Sequence, residues 1–396
     1  MRPPKSLGQH DITLIKNNNQ RLSAMNLRIF ELERFQSLYE NTVPYNLTES
    51  GFHPFTLKEL LTADEIELLT NTVLGYGQTN GSIPLRRRIA ALYPGYNEDN
   101  VLVTNGSSEA NFVACHSLLR KGDEVVIMVP NYMQIWGIVE EMGCTPKAFH
   151  LREEKNWGVD LDELRSQVTS KTKMIAVCNP NNPTGYILTS AEMKEIVRLA
   201  ETVGAWIMAD EIYRGAELSG IETPSFVGMY DKVIVNGGLS KAYALPGLRL
   251  GWLAGDTQTI ANSWAYHDYT SITAGILSHD VGEIALRPAM RERIFARNRA
   301  MLKENLSALQ EWVKTYQHII RFVPPQGGGM AFMHYSLNIK STDLSDWLRK
   351  EKGIFIVAGD WYGMDKYIRI GIGAEKEYLL NGMTILTKAL QERFGV

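Results

Sequence analysis

Short apolar runs in the middle of the chain, each ending in a polar turn, constrain this sequence more than any other feature. Residues 101–104, 124–129, 174–178, 205–209 and 233–235 are rich in Val and Ile. Several are close to continuously apolar, which is the pattern of strands covered on both faces. A helix is predicted between the third and fourth runs. Thr189 or Ser190 caps it, Glu192 completes a capping box with Thr189, and Met193, Ile196, Val197 and Ala200 recur at helical spacing. Strands alternating with helices predict an α/β fold with a mainly parallel, doubly wound sheet.

The ends of the chain follow another pattern. Residues 25–39 carry Leu27, Ile29, Phe30, Leu32, Phe35 and Leu38 on a broad apolar helical face. A long helical stretch is expected over 289–316, after Pro288, with strand-like runs at 354–357 and 367–370. This α+β pattern predicts a smaller second domain. The expected division is an N-terminal segment, 1–50, packing with the small domain; a large domain, 51–290; and the small C-terminal domain, 291–396.

Composition removes several function classes. Lys+Arg 41 against Asp+Glu 44 gives a formal net charge of -3, so nothing global points to nucleic acid or an anionic membrane. No apolar run approaches the roughly 20 residues of a membrane helix. The first residues lack the apolar core of a signal peptide, so a cytoplasmic protein is expected. Cys115, Cys144 and Cys178 are too few and too dispersed for a disulfide framework or a zinc site, and the histidines show no ligand spacing. No metal is expected.

The chemistry gathers where the strands end. The five runs lead into Asn105-Gly106-Ser107-Ser108, Pro130-Asn131-Tyr132, Asn179 to Gly185, Asp210-Glu211-Ile212-Tyr213-Arg214, and Asn236-Gly237-Gly238-Leu239-Ser240-Lys241. Open α/β sheets bind ligands beyond the carboxyl ends of their strands. A Gly-Ser turn opening a helix offers free N–H groups and a positive dipole end to a phosphate. Taken alone it also reads as an ordinary capped helix start, and Lys241 as a solvated loop lysine.

Four motifs in order, NPNNPTG at 179–185, DEIYR at 210–214, LSK at 239–241 and GLRLGW at 247–252, resemble the fold-type I pyridoxal phosphate enzymes of the class I/II aminotransferase superfamily. The likeness runs from Tyr76-Gly77 to Arg369. It implies that Lys241 holds the cofactor as a Schiff base and serves as the base at the substrate's Cα, while Asp210 pairs with the pyridine nitrogen. Asn182 and Tyr213 resemble the pair on the cofactor's 3-hydroxyl oxygen, and Tyr132 the ring that stacks on the pyridine. Gly106, Ser107, Ser108, Ser240 and Arg249 would hold the phosphate. Tyr76 looks like the tyrosine that reaches the neighbouring subunit's phosphate, implying a homodimer with shared active sites. Arg369, with Asn182 and Gly51, would bind the substrate's α-carboxylate.

The implied activity is transfer of an amino group between an amino acid and a 2-oxo acid, through quinonoid and ketimine states, within amino acid metabolism. Two features depart from that pattern. Gly238 stands where the superfamily often has the first serine of Ser-x-Ser-Lys, and GSSEA with ESGFHP is similar to the capreomycidine-synthase-like branch. The alternative implied is a lyase, cyclase or oxidase acting on an amino acid with the same cofactor. Glu49, Glu109 and Asp268 are candidates for favouring a cationic substrate side chain.

Overall fold

The computed structural model describes residues 27–396. The leader reading, the first half of the 1–50 segment, and Met25 and Asn26 of the expected first helix lie outside the described residues. An eight-stranded sheet is built in the order Val101–Thr104, Gly251–Gly255, Val233–Gly238, Trp206–Asp210, Thr172–Cys178, Glu124–Val129, Thr145–Arg152 and Gly158–Val159. Its four central pairings are parallel. Gly251–Gly255 runs antiparallel to both of its neighbours. The carboxyl ends of Val101–Thr104 and the parallel strands therefore share one edge with the amino end of Gly251–Gly255.

The apolar runs are continuous because helices cover both faces. Leu102, Val125, Ile127, Met174, Ala176, Met208 and Ile234 face one layer, with Ala110, Val113 and Ala114 of helix Ser107–Leu118. Their alternates Val103, Val126, Ile175, Val177, Ile207 and Val235 face the other, with Met193, Ile196 and Ala200 of helix Ser190–Val203. Burying each such side chain contributes about 1.5–3 kcal/mol. Thr189 caps that second helix through the expected box with Glu192.

Some bounds differ from expectation. The Val233–Gly238 strand runs on through Asn236-Gly237-Gly238, and Asp210 is the last residue of its strand and not the first of a loop. The first helix begins at Glu31, since Leu27 to Phe30 are non-helical, and the long helix is Pro288–Thr315.

A four-stranded antiparallel sheet follows in the order Ile320–Phe322, Met330–Tyr335, Tyr367–Gly371 and Val357–Ala358. Tyr45–Asn46 pairs in parallel with Ile354–Phe355, and the chain then crosses Tyr367–Gly371, where Gly371 N–H donates to the Leu47 carbonyl at 2.7 Å. That crossing is close. A Cβ on Gly371 would come within 2.0 Å of the Glu49 carbonyl oxygen, and one on Gly329 or Gly373 within 2.2 or 2.0 Å of that of Gly51. Glycine at these positions lets residues 47–51 run between the small sheet and the edge of the large one, beside Lys241 and Arg369.

Candidate active site

A cavity of about 250 Å³ opens at the shared edge of the large sheet. Ser107, Ser108, Tyr132, Asn182, Asp210, Tyr213, Ser240, Lys241, Arg249 and Arg369 line it. All but Arg369 follow or end elements at that edge, so their clustering follows from the sheet's direction; Arg369 comes from the middle of Tyr367–Gly371 in the smaller sheet.

Gly106 turns the chain from Val101–Thr104 into helix Ser107–Leu118 at φ +84°, and a Cβ there would lie 2.5 Å from Arg249 Nη2. No side chain caps this helix, so its first-turn N–H groups face the cavity. Arg249 reaches the same spot because the antiparallel strand starts here. Its Nη1 lies 3.3 Å from Ser240 Oγ. Two adjacent positive features, a helix start and a guanidinium, form an anion cradle. A relay fixes the helix in register. Asn236 Nδ2 donates to Asn111 Oδ1 at 2.8 Å, Asn111 Nδ2 to Gln134 Oε1 at 3.0 Å, and Gln134 Nε2 to the Ser108 carbonyl at 3.0 Å.

Asp210 is buried, and its Oδ1 accepts the Ile212 N–H at 3.1 Å. Among the described residues no basic side chain forms an ion pair with it. Burial pushes its carboxyl up to about 6, against an ordinary 3.8, and the Ile212 N–H only partly opposes that. A carboxyl raised on folding adds stability below its ordinary value, and that stability is lost as pH rises through its folded value. Unfolding titrations of the ligand-free protein should therefore lose on the order of 3 kcal/mol between pH about 4 and about 6, relative to the Asp210→Asn variant. Parallel stability curves for the two proteins would remove Asp210 as the cause.

Lys241 Nζ donates to Glu49 Oε1 at 2.6 Å, and the same oxygen accepts the N–H groups of Ser50 and Gly51 at 2.8 and 2.9 Å. Burial alone would raise the Glu49 carboxyl. Lys241, the Gly51 amide and Arg369 outweigh it and bring it to about 2. Tyr213 OH lies 2.8 Å from Ser50 Oγ.

Arg369 is 2% exposed. It donates to Asn182 Oδ1 at 2.9 Å, to Tyr362 OH and to the Thr48 carbonyl, and its Nε has no partner among the described residues. Tyr132 donates to Glu33 Oε1 at 2.7 Å, and burial followed by the Glu33 charge raises its hydroxyl well above the usual phenol range.

Of the expected residues, Gly106 is not itself part of the lining, although it opens the helix whose Ser107 and Ser108 are, and two others fall elsewhere. Tyr76 is 89% exposed and does not line the cavity of its own chain. Gly51 lines an adjoining cleft with Phe52, His53 and Gly373, because its carbonyl packs on the small-sheet glycines. Glu109 does not line the cavity either. It accepts bonds from Thr270, Ser271 and the Asn105 amide and lies 3.3 Å from His267, a structural clasp that, against its burial, holds its carboxyl at about 2. Asp268 is exposed at a helix end.

The cavity also has walls that the sequence did not reveal. Leu32, Glu33, Gln36, Ser37 and Glu40, from helix Glu31–Tyr39 and its C-cap, lie over it. The apolar pattern of that helix is legible in the sequence, but nothing in it assigns a role to the polar face. Tyr362 bonds to both Asn182 and Arg369 and carries no motif of its own.

The model of the family described as aminotransferase class I and II matches residues 45–385. A solved PLP-dependent aminotransferase from Streptococcus suis superposes with a TM-score of 0.87 at 33% identity, covering 93% of this chain and 99% of its own. Capreomycidine synthase from Streptomyces vinaceus is 28% identical over 87% of this chain and 89% of its own length. Aspartate aminotransferase from Pyrococcus horikoshii is 29% identical over 79% and 82%.

Proposed function

This chain belongs to the class I and II aminotransferase family and is a pyridoxal phosphate-dependent transaminase; we propose that it works through the cavity at the edge of the large sheet. The observation that carries this assignment is the convergence on one cavity of an amine, Lys241, a buried carboxyl without a cation, Asp210, and an anion cradle, Gly106 to Ser108 with Arg249. These groups fit the cofactor. The absence of a Cβ on Gly106 lets the Arg249 guanidinium close on the start of helix Ser107–Leu118, which concentrates positive charge for a phosphate, and the buried Asp210, without a cation of its own, suits a protonated ring nitrogen.

Bound there, pyridoxal phosphate supplies an electron sink conjugated to the substrate's Cα and carries the amino group between half-reactions. Arg249, Ser240 and the first-turn amides of helix Ser107–Leu118 would hold the phosphate. Asp210 would pair with the ring nitrogen, Asn182 and Tyr213 would meet the ring's hydroxyl, and Tyr132 would pack against the ring. Arg369 would grip the substrate's α-carboxylate, and Lys241 Nζ would take the proton from Cα. Helix Glu31–Tyr39 lies across the opening and limits water.

The finer expectations belong to the same proposal. A large unit over 51–290 carries the cofactor residues, and a smaller one over 291–396, with the segment before residue 51, contributes Arg369. The protein works in the cytoplasm; no helix among the described residues is long and apolar enough to cross a membrane. It is a homodimer in which Tyr76 reaches the partner's phosphate. That is supported by the exposure of Val73, Leu74, Tyr76 and Tyr269, at 83%, 77%, 89% and 92%. Sedimentation should give a dimer, and Tyr76→Ala should weaken cofactor retention about tenfold. A monomer with full retention would remove the shared site.

The test of the reaction is one turnover with an amino acid and no oxo acid. Pyridoxamine phosphate should accumulate stoichiometrically by mass spectrometry, then disappear when an oxo acid is added. The 28% identity to capreomycidine synthase supports a second outcome, repeated turnover without an acceptor, which would overturn transamination in favour of cyclisation or elimination.

A further inference from the structure

The charges that line the cavity do not balance once its expected occupants are assigned. Four carboxylates, Glu33, Glu40, Glu49 and Asp210, face three cations, Lys241, Arg249 and Arg369. Under the transaminase reading, on which this inference rests, each cation is already committed: Arg249 to a phosphate, Lys241 to the cofactor, and Arg369 to the substrate's carboxylate. Asp210 is matched by the ring nitrogen. Glu33, Glu40 and Glu49 remain, with no cation among the cavity-lining residues to meet them.

Their individual surroundings sharpen the point. Glu33 accepts only a neutral hydroxyl, from Tyr132 at 2.7 Å. Glu49 holds Lys241 at 2.6 Å and loses that charged partner both when the lysine is bound to the cofactor and when, with substrate in place, it is the neutral base. Glu40, on the C-cap of helix Glu31–Tyr39, has no side-chain hydrogen bond or ion pair among the described residues. Burial raises its carboxyl, and repulsion from Glu49 and Glu33 adds to the rise. An independent observation points to a ligand of the complementary kind. Arg369, 2% exposed, lines the same cavity with its Nε unpartnered and no carboxylate in contact. One occupant that satisfies both ends carries a carboxylate and, several bonds away, a positive charge.

We infer that Glu33, Glu40 and Glu49 form the specificity wall of this site, selecting an amino acid whose side chain ends in a cation, an amine or a guanidinium. Glu40 is the free contact. Glu33, fixed by the bond from Tyr132, adds its charge beside it, and Glu49 exchanges Lys241 for the incoming cation. An acidic side chain would meet uncompensated repulsion, and a neutral one would leave the wall unpaired.

The experiment compares equilibrium binding to the holoenzyme, by difference spectra and by calorimetry, for pairs of matched length: ornithine with norvaline, lysine with norleucine, and arginine with citrulline. The cationic member of at least one pair should bind ten times more tightly or better, with glutamate weaker than either. Glu40→Gln should reduce that ratio at least fivefold while leaving the neutral member within twofold. Glu33→Gln provides a second reading should the first variant fold poorly. The inference is overturned if the neutral members bind as well as the cationic ones in every pair, or if the ratio survives both substitutions. Failure of the transaminase reading looks different, because a cationic amino acid would then bind preferentially without ever yielding pyridoxamine phosphate.

Discussion

Replacing Lys241 with alanine should lower kcat/KM for transamination by about 10⁴-fold, with the fold intact. Lys241 Nζ is the only amine among the cavity-lining side chains, and it extends from the turn after Val233–Gly238 into the centre of the cavity. Removing it takes away the group that moves the Cα proton, a loss of roughly 10²- to 10⁴-fold in general, and also the cofactor's covalent anchor. No neighbour can substitute, because the other two basic side chains of the cavity, Arg249 and Arg369, are guanidinium groups committed to the phosphate and the carboxylate. The cost to stability is small. The side chains of Lys241 and Glu49 are 27% and 50% exposed, so their ion pair is well screened. Steady-state kinetics, the long-wavelength absorbance of the lysine-bound cofactor and a thermal melt check this together. A variant that keeps a tenth of the turnover would mean that Lys241 is not the proton carrier, and one that melts far below the parent would mean that the loss of activity comes from the fold.

The parts of this site that could be read from the sequence are those where chemistry coincides with the end of a buried strand. Asp210, Asn182 and Lys241 were visible because Val and Ile runs stop abruptly and polar residues follow. Strand Gly251–Gly255 was not visible. Gly-Trp-Leu-Ala-Gly has glycine at both ends and reads as a loop, yet the first glycine is required by packing, since a Cβ there would lie 2.4 Å from Ser107 N. Strand Thr145–Arg152 was missed for a different reason. It contains Pro146, Lys147 and His150, is mostly half-exposed, and ends at a short antiparallel edge strand. Glu33 and Glu40 escaped because a helix's polar face looks the same whether it meets water or a cavity. Tyr362 escaped because its partners lie 180 and 7 residues away in the chain, and only the folded sheet brings them together.

Arg369→Met should separate binding from stability, and that separation distinguishes a substrate clamp from a structural arginine. In the folded chain the guanidinium meets only neutral acceptors: the Thr48 carbonyl, Asn182 Oδ1 and Tyr362 OH. Glu49 is near enough to be lowered by its charge but does not form an ion pair with it. A buried cation without a carboxylate is held at a desolvation cost. Methionine, of similar length, removes that cost while taking a donor from three oxygens, of which Asn182 Oδ1 keeps the Tyr362 hydroxyl and the Thr48 carbonyl keeps Gln36 Nε2 at 3.4 Å, so the terms oppose each other and the unfolding free energy should shift by less than about 2 kcal/mol. Binding has no such compensation. A forked, charge-assisted pair with the α-carboxylate is lost, and hydrogen bonds to charged groups contribute about 1.5–3 kcal/mol each, so KM should rise roughly 10²- to 10⁴-fold. Arg369→Lys keeps the charge without the fork and should fall between the two. Urea titrations and initial-rate kinetics on the same preparations decide the matter. A variant that is destabilised by several kcal/mol with an unchanged KM would make Arg369 a strut of the small sheet and leave the α-carboxylate to another group.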